Sequence, residues 1–209
     1  MTPLRLVLFA DGPSDRALLP VINWSMRSIA PEVRFFEPDF RVHKGNLDEV
    51  RRALSVTTRP DIVFVHRDAE KQPLDERRKQ IPHLGIATVR VVPVRMTEAW
   101  LLSDEASIRK AAGNPNGRVR LDMPRLTRLE ELPGAKETLR QLLLDASEHV
   151  SPRRQDKFRQ KATDHIQRVS ENTEDFSPLR RLSAFQAFEA DLRAALDDLA
   201  EASSGRDRA

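Results

Sequence analysis

Three runs of this chain are apolar almost without interruption, and each runs into a carboxylate. Six of the seven residues from Leu4 to Ala10 are apolar, the density of a strand buried on both faces. Asp61-Ile62-Val63-Phe64-Val65-His66 is a second such run. Ile86 to Val94 is a third, with β-branched residues at Ile86, Thr88, Val89, Val91, Val92 and Val94. Val33 to Val42 is a weaker strand pattern, with Phe35, Phe36, Phe40 and Val42 set around Pro38. The intervening segments change to helical spacing. Leu18, Leu19, Val21, Ile22, Met26 and Ile29 mark a helix over Arg16 to Ile29 that stops before Pro31, and Pro20 inside it predicts a kink or break after the first turn. Leu47 to Leu54, with Asn46 as cap, and Asp75 to Gln80 complete an alternation of strands and helices. That alternation predicts βαβ units and a four-stranded, mainly parallel sheet flanked by helices.

After residue 100 no strand signal appears. The stretch from Pro93 to Asp104 reads as a strand end followed by an apolar helix with Glu98 in its first turn, and Trp100, beside Met96 and Leu101, reads as core. Residues 113–134, rich in Pro, Gly, Asn and Arg, predict an irregular connection. Ala135 to Ala146 carries Leu139, Leu142 and Leu143 on one helical face, and further helices are expected over Gln155 to Val169 and Ala184 to Leu199. The predicted organisation is an α/β core over residues 1–112, the connection over 113–134, a helical extension packed on the core over 135–200, and a mobile tail over 201–209.

Composition narrows the class. Charged residues make up 32% of the 209 and apolar ones 39%, a balance that excludes a disordered chain, and no run approaches the about 18 apolar residues of a membrane span. The first apolar run is too short for a secretory leader and ends at Asp11 with no small-residue cleavage site. The chain has no cysteine, hence no disulfide and no thiolate metal site, which fits a cytoplasmic protein. Its 35 basic residues leave a net charge of only +3. They gather late in the chain, where they permit contact with nucleic acid.

The acids have a more specific arrangement. Asp11 follows the first strand, Asp68 and Glu70 follow the third, and Glu98 follows the fourth. Gly12 allows a tight turn, and Ser14 or Asp15 can cap the helix after it. Parallel strands bring these ends to one edge, where open α/β sheets bind ligands. Side-chain alternation would aim Asp68 and Glu70 the same way, and like charges so close are tolerated chiefly around a cation. Oxygen-only ligands favour Mg²⁺ or Mn²⁺ over Zn²⁺. His66 reads as a strand-end residue orienting a neighbouring carboxylate. His66-Arg67-Asp68 also matches the kinase catalytic-loop triplet, but the metal-binding Asn that should follow falls at Pro73, and no Gly-rich phosphate loop accompanies it.

The segments Asp11-Gly12-Pro13-Ser14-Asp15, Val65-His66-Arg67-Asp68-Ala69-Glu70 and Glu98-Ala99-Trp100-Leu101-Leu102 together resemble the topoisomerase–primase (Toprim) fold family. The likeness is to OLD-type nucleases and to small stand-alone bacterial Toprim-like proteins, covering residues 4–110 and, more loosely, Pro133-Gly134-Ala135-Lys136 with the later basic helices. In such families an acid-Gly pair after the first strand acts in catalysis and a D-x-D after the third holds divalent metal. The resemblance therefore implies Asp11 as the catalytic acid, Asp68 and Glu70 as metal ligands, and Glu98 as support for the metal or a second ion. Two departures stand out. The first acid is usually Glu, one methylene longer than Asp11, and the second acid of D-x-D is here Glu70.

The basic residues complete the expectation. Arg153, Arg154 and Lys157, with Arg159 and Lys161 close by, would flank the acidic edge and neutralise a nucleic-acid backbone. Lys136 or Lys157 would offset charge developing on a phosphate, and spacing does not select between them. The function expected is Mg²⁺- or Mn²⁺-dependent action on the phosphodiester backbone of DNA or RNA, which in the families resembled means bacterial defence or repair. The alternative is a Toprim-fold subunit with weakened catalysis that binds within a larger protein complex. A small-molecule phosphatase or phosphotransferase shares the metal chemistry but has no need of the basic extension.

Overall fold

The computed structural model of the protein describes residues 2–56 and 58–206. Four strands, β1 (Leu6–Ala10), β2 (Asp39–Val42), β3 (Ile62–His66) and β4 (Ala87–Val91), form one sheet in the order β2-β1-β3-β4. Every pairing is parallel, with Leu8 opposite Phe40 and Phe64, and Phe64 opposite Val89. The helices between strands are α1 (Leu18–Ile29), α2 (Leu47–Val56) and α3 (Leu74–Lys79). Alternation along β1 and β3 separates two cores. Leu6, Leu8, Ala10, Ile62 and Phe64 face α1 and the helices of the C-terminal half, whereas Val7, Phe9, Val63 and Val65 face Val50 of α2 and Ile81. These central strands are buried on both faces, which explains their continuous apolar sequence.

Pro20 does not break α1. It is the third residue of that helix, where a missing N–H costs nothing because the first-turn donors have no intrahelical acceptor. The change of geometry lies just before, where a 3-10 turn over Pro13–Ala17 passes into α1 at Leu18. The second strand is shorter than its pattern suggests: Pro38 confines β2 to Asp39–Val42, and Phe35 keeps only an isolated bridge to Leu4. A 3-10 helix covers Thr97–Ser103 in place of an α-helix, and α4 (Glu105–Ala111) starts anew on an Asp104 cap whose carboxylate accepts the Ala106 N–H at 2.9 Å.

The connection over 113–134 contains one 3-10 turn, Leu126–Glu131. The helix expected over Gln155 to Val169 is two helices, α6 (Pro152–Arg159) and α7 (Ala162–Asn172), interrupted at Lys161. α5 (Ala135–Ser147) precedes them, and α8 (Ser183–Arg206) closes the fold, running past residue 200 into the stretch expected to be a tail; residues 207–209 lie outside the described residues. Asp191 of α8 accepts the Arg90 backbone N–H of edge strand β4 at 3.1 Å and pairs with Arg78 at 2.9 Å, which blunts one sheet edge. Trp100 is core, edge-on to Phe185 at 5.2 Å. Among the described residues no helix is long and apolar enough to cross a membrane.

Candidate active site at the carboxyl edge of the sheet

In the strand order β2-β1-β3-β4 the connections leave β1 toward one side and reach β3 on the other, so the sheet has its switch point between β1 and β3. Ligands of open α/β folds bind beyond the strand ends at that point. Asp11 follows β1 there and Asp68 follows β3.

His66 is the last residue of β3, and its ring is fully buried on the face that carries Ile62 and Phe64. Its Nε2–H points at Asp68 Oδ1, 3.1 Å away, with Thr97 Oγ1 also at 3.1 Å. On the other side Nδ1 lies 3.4 Å from Asp15 Oδ2, an attraction of charges rather than an aligned hydrogen bond. Burial opposes the charged ring, but the two carboxylates outweigh it and push the His66 pKa up to about 10. At neutral pH the ring is therefore an imidazolium clamped between two acids. Burial also works against the Asp15 carboxylate, yet His66, the Gly12 N–H at 2.8 Å and Lys136 hold its pKa below the usual value. Gly12 and Asp15 thus build the turn that the sequence anticipated, and Asp15 is a member of the charged cluster besides.

Asp68 Oδ1 also accepts the backbone N–H of Thr97 at 2.9 Å. One carboxylate oxygen therefore fastens the segment after β4 to the end of β3. Glu98 follows Thr97; it is buried, and its carboxylate meets Lys136 Nζ at 3.2 Å. That ion pair fixes the start of α5 against the sheet edge. Ser170 of α7 donates to the Ala17 carbonyl and fastens a second helix of the extension to the turn after β1.

Asp11 is the least encumbered acid. Its Oδ1 is 3.4 Å from His43 Nε2 and 4.0 Å from Arg67 Nε. His43, the residue after β2, spends its Nε2–H mainly on the His66 carbonyl at 3.0 Å. Asp11 Oδ1, Arg67 Nε and His43 Nδ1 are all buried and without a hydrogen-bond partner among the described residues. Three orphaned polar atoms at one strand edge call for water or a ligand.

Glu70 does not join Asp68. The backbone at Glu70 has φ 54°, in the left-handed region, with its N–H bonded to the Arg95 carbonyl. That twist breaks the alternation on which a shared direction depended. The carboxylate turns out to solvent and pairs with Arg77 at 3.2 Å, so the expected pair of adjacent ligands is not formed. With Glu98 held by Lys136 as well, the set Asp68, Glu70 and Glu98 does not converge, and no group of three or more acids or histidines among the described residues is placed to hold a metal ion. Among the described residues of this edge, Asp11 keeps a buried oxygen without a hydrogen-bond partner, and the hydrogen bonds to Asp68 fall on its Oδ1.

Of the basic residues, Arg154 and Lys157 line a cavity between the end of α4, α6 and α7, while Arg153 is exposed outside it. His43 and Thr97 belong to the site but were not among the candidates from sequence. His43 had a signal, since it is the first polar residue after a strand that neighbours β1, but the strand itself was weakly marked. Compared with family models, with curated proteins and with solved structures, the chain matches none.

Proposed function

We propose that this is a Toprim-like hydrolase of nucleic-acid phosphodiesters that works with Mg²⁺ or Mn²⁺, its reaction centre lying between Asp11 and Asp68. The observation that carries the reading is the orphaned, buried Asp11 Oδ1 facing an equally orphaned Arg67 Nε at the switch point, on the strand next to Asp68. Mg²⁺ rarely occupies an all-protein cage; it is commonly held by one or two carboxylates together with substrate phosphate and water. Asp11 and Asp68, at the ends of the adjacent strands β1 and β3, would be those carboxylates. Bound there, the metal supplies Lewis-acid polarisation of a phosphoryl oxygen and a more acidic water.

The chain's own residues supply the rest. Asp11 positions the attacking water, and Arg67 and Lys136 offset the negative charge that builds on the phosphate. His66 holds Asp68 in one orientation through its Nε2–H, and Thr97 holds it from the other side. Arg153, Arg154 and Lys157 of α6 attract a nucleic-acid strand without reading its sequence. A cysteine-free chain working on nucleic acid fits the cytoplasm, and the resemblance to OLD-type nucleases fits defence or repair.

The orientation of Glu70 favours a second reading. With the second acid of the D-x-E paired to Arg77, the protein would be a binding subunit of a larger complex with little turnover. Incubation with supercoiled plasmid, single-stranded DNA and RNA in Mg²⁺, Mn²⁺ or chelator separates the two. The hydrolase reading expects weak cleavage with Mn²⁺, lost in chelator and in Asp11→Ala, and retained or raised in Asp11→Glu. Binding of metal and nucleic acid with no cleavage above the Asp11→Ala background assigns the protein to the second reading.

A further inference from the structure

A cavity of about 270 Å³ opens between the C-terminal end of α4, α6 and α7, and no residue of the acidic edge lines it. Four cations line it: Arg154 and Lys157 from α6, Lys161 at the join, and Arg168 from α7. Each is exposed, and among the described residues none has a carboxylate within 4.0 Å. Of their acidic neighbours, Asp156 pairs with Arg159, and Asp164 acts on His165 through space.

The cavity also has a buried floor. His165 is 8% exposed, and its ring is stacked on Phe158 with centroids 3.9 Å apart and planes 13° from parallel. Its Nδ1–H donates to the Ala111 carbonyl at 3.2 Å. That bond fixes the tautomer and leaves Nε2, which is buried, with no partner in the protein. A solvated cationic face requires no such buried, unsatisfied nitrogen beneath it.

We propose that this cavity binds a phosphomonoester, the terminal phosphate of a nucleic-acid strand, with Arg154, Lys157, Lys161 and Arg168 around its oxygens and His165 Nε2 sharing a proton with one of them. The monoester is preferred to a backbone diester on two counts. It brings close to two negative charges, against one for a diester, to four unpaired cations. It also titrates near pH 6 and can place a proton between phosphate oxygen and imidazole, whereas a diester has none to share. Lys161 at the join and Asp164 and Arg168 of α7 act on His165 through space, the Ala111 carbonyl of α4 accepts its Nδ1–H, Phe158 of α6 stacks on its ring, and Arg154, Lys157 and His149 line the same cavity. Burial lowers the pKa of the free ring, so binding draws a proton into the cavity and tightens as pH falls toward 6. Assigning the phosphate to a strand end rests on the function proposed above; the preference for a monoester does not.

The test is fluorescence anisotropy with a labelled single-stranded oligonucleotide bearing a 5′-phosphate, a 3′-phosphate or neither, in chelator so that the acidic edge plays no part. One terminal phosphate should tighten binding by about tenfold, and the gain should vanish in the Lys157→Ala/Arg168→Ala double variant, whose changes are confined to exposed side chains. Inorganic phosphate and a mononucleotide, followed by the His165 ring proton resonances, distinguish a free phosphate from a strand end. A shift with these but no gain from the oligonucleotide phosphates keeps the monoester and overturns the strand. Equal binding of all three oligonucleotides with no His165 shift overturns the proposal. If Mn²⁺-dependent cleavage is absent but the terminal-phosphate gain is present, the hydrolase reading falls and the cavity stands.

Discussion

His66 donates its Nε2–H to Asp68 across 3.1 Å, and the residue that receives this bond is also the one that takes the Thr97 N–H. The Asp68 carboxylate is therefore held by a buried imidazolium on one side and by the backbone of a neighbouring loop on the other. This arrangement makes the stability of the metal-free protein depend on pH in a definite direction. The His66 pKa is about 10 in the fold against 6.5 when free, so its contribution is complete below about pH 6.5 and is lost as pH rises toward 10. The loss proceeds at up to about 1.4 kcal/mol per pH unit. Urea unfolding across pH 6 to 10 should show this decline, and His66→Gln should flatten it. A wild-type profile as flat as that of His66→Gln contradicts the clamped imidazolium.

Glu70 should prove dispensable for metal. Its carboxylate serves Arg77, which is buried, and its left-handed backbone points it away from Asp68. Glu70→Gln is expected to cost about 0.5 kcal/mol of stability by replacing a charged acceptor of the Arg77 guanidinium with a neutral one, while the apparent Mn²⁺ affinity changes less than about twofold. Calorimetric titration alongside thermal melting checks both. A tenfold loss of Mn²⁺ affinity would restore Glu70 to the ligand set.

The Glu98–Lys136 pair is expected to tie α5 to the sheet edge. Lys136→Ala leaves a buried carboxylate without its cation and should destabilise by about 1 to 3 kcal/mol, below the about 3 to 5 of a fully buried pair because Lys136 itself is partly exposed. Adding Glu98→Gln should recover a large part of that loss, which a double-mutant cycle reads as coupling. Additive effects of the two substitutions would mean that the contact carries no energy.

Much of this fold is legible in the sequence because its central strands are buried on both faces, and an unbroken run such as Leu6–Ala10 or Ile62–Val65 has few other uses. The acids at their ends were legible for the same reason, since a strand end fixes where the next polar residue lies. What was not legible depends on single backbone angles or on distant partners. Glu70 keeps the two-residue spacing of a ligand pair, but φ at that one residue turns it away. Thr97–Ser103 has the apolar content of an α-helix, yet Thr97 is bound to Asp68, 29 residues earlier, and the segment is wound as 3-10 helix. His43 joins the site only because β2 lies beside β1, and with Pro38 in its pattern that strand is the hardest of the four to find.

The central claim is that Asp11 and Asp68, and not the D-x-E pair, hold the divalent ion. Electron paramagnetic resonance of free Mn²⁺ during titration with the protein measures this most directly, using wild type, Asp11→Asn, Asp68→Asn and Glu70→Gln, each checked for an unaltered far-ultraviolet dichroism spectrum. The account predicts saturable binding of one ion per chain in the wild type and in Glu70→Gln, and loss of at least about tenfold in affinity in each of the two Asp variants. Mn²⁺ binding that survives Asp11→Asn and Asp68→Asn but is lost in Glu70→Gln would contradict it.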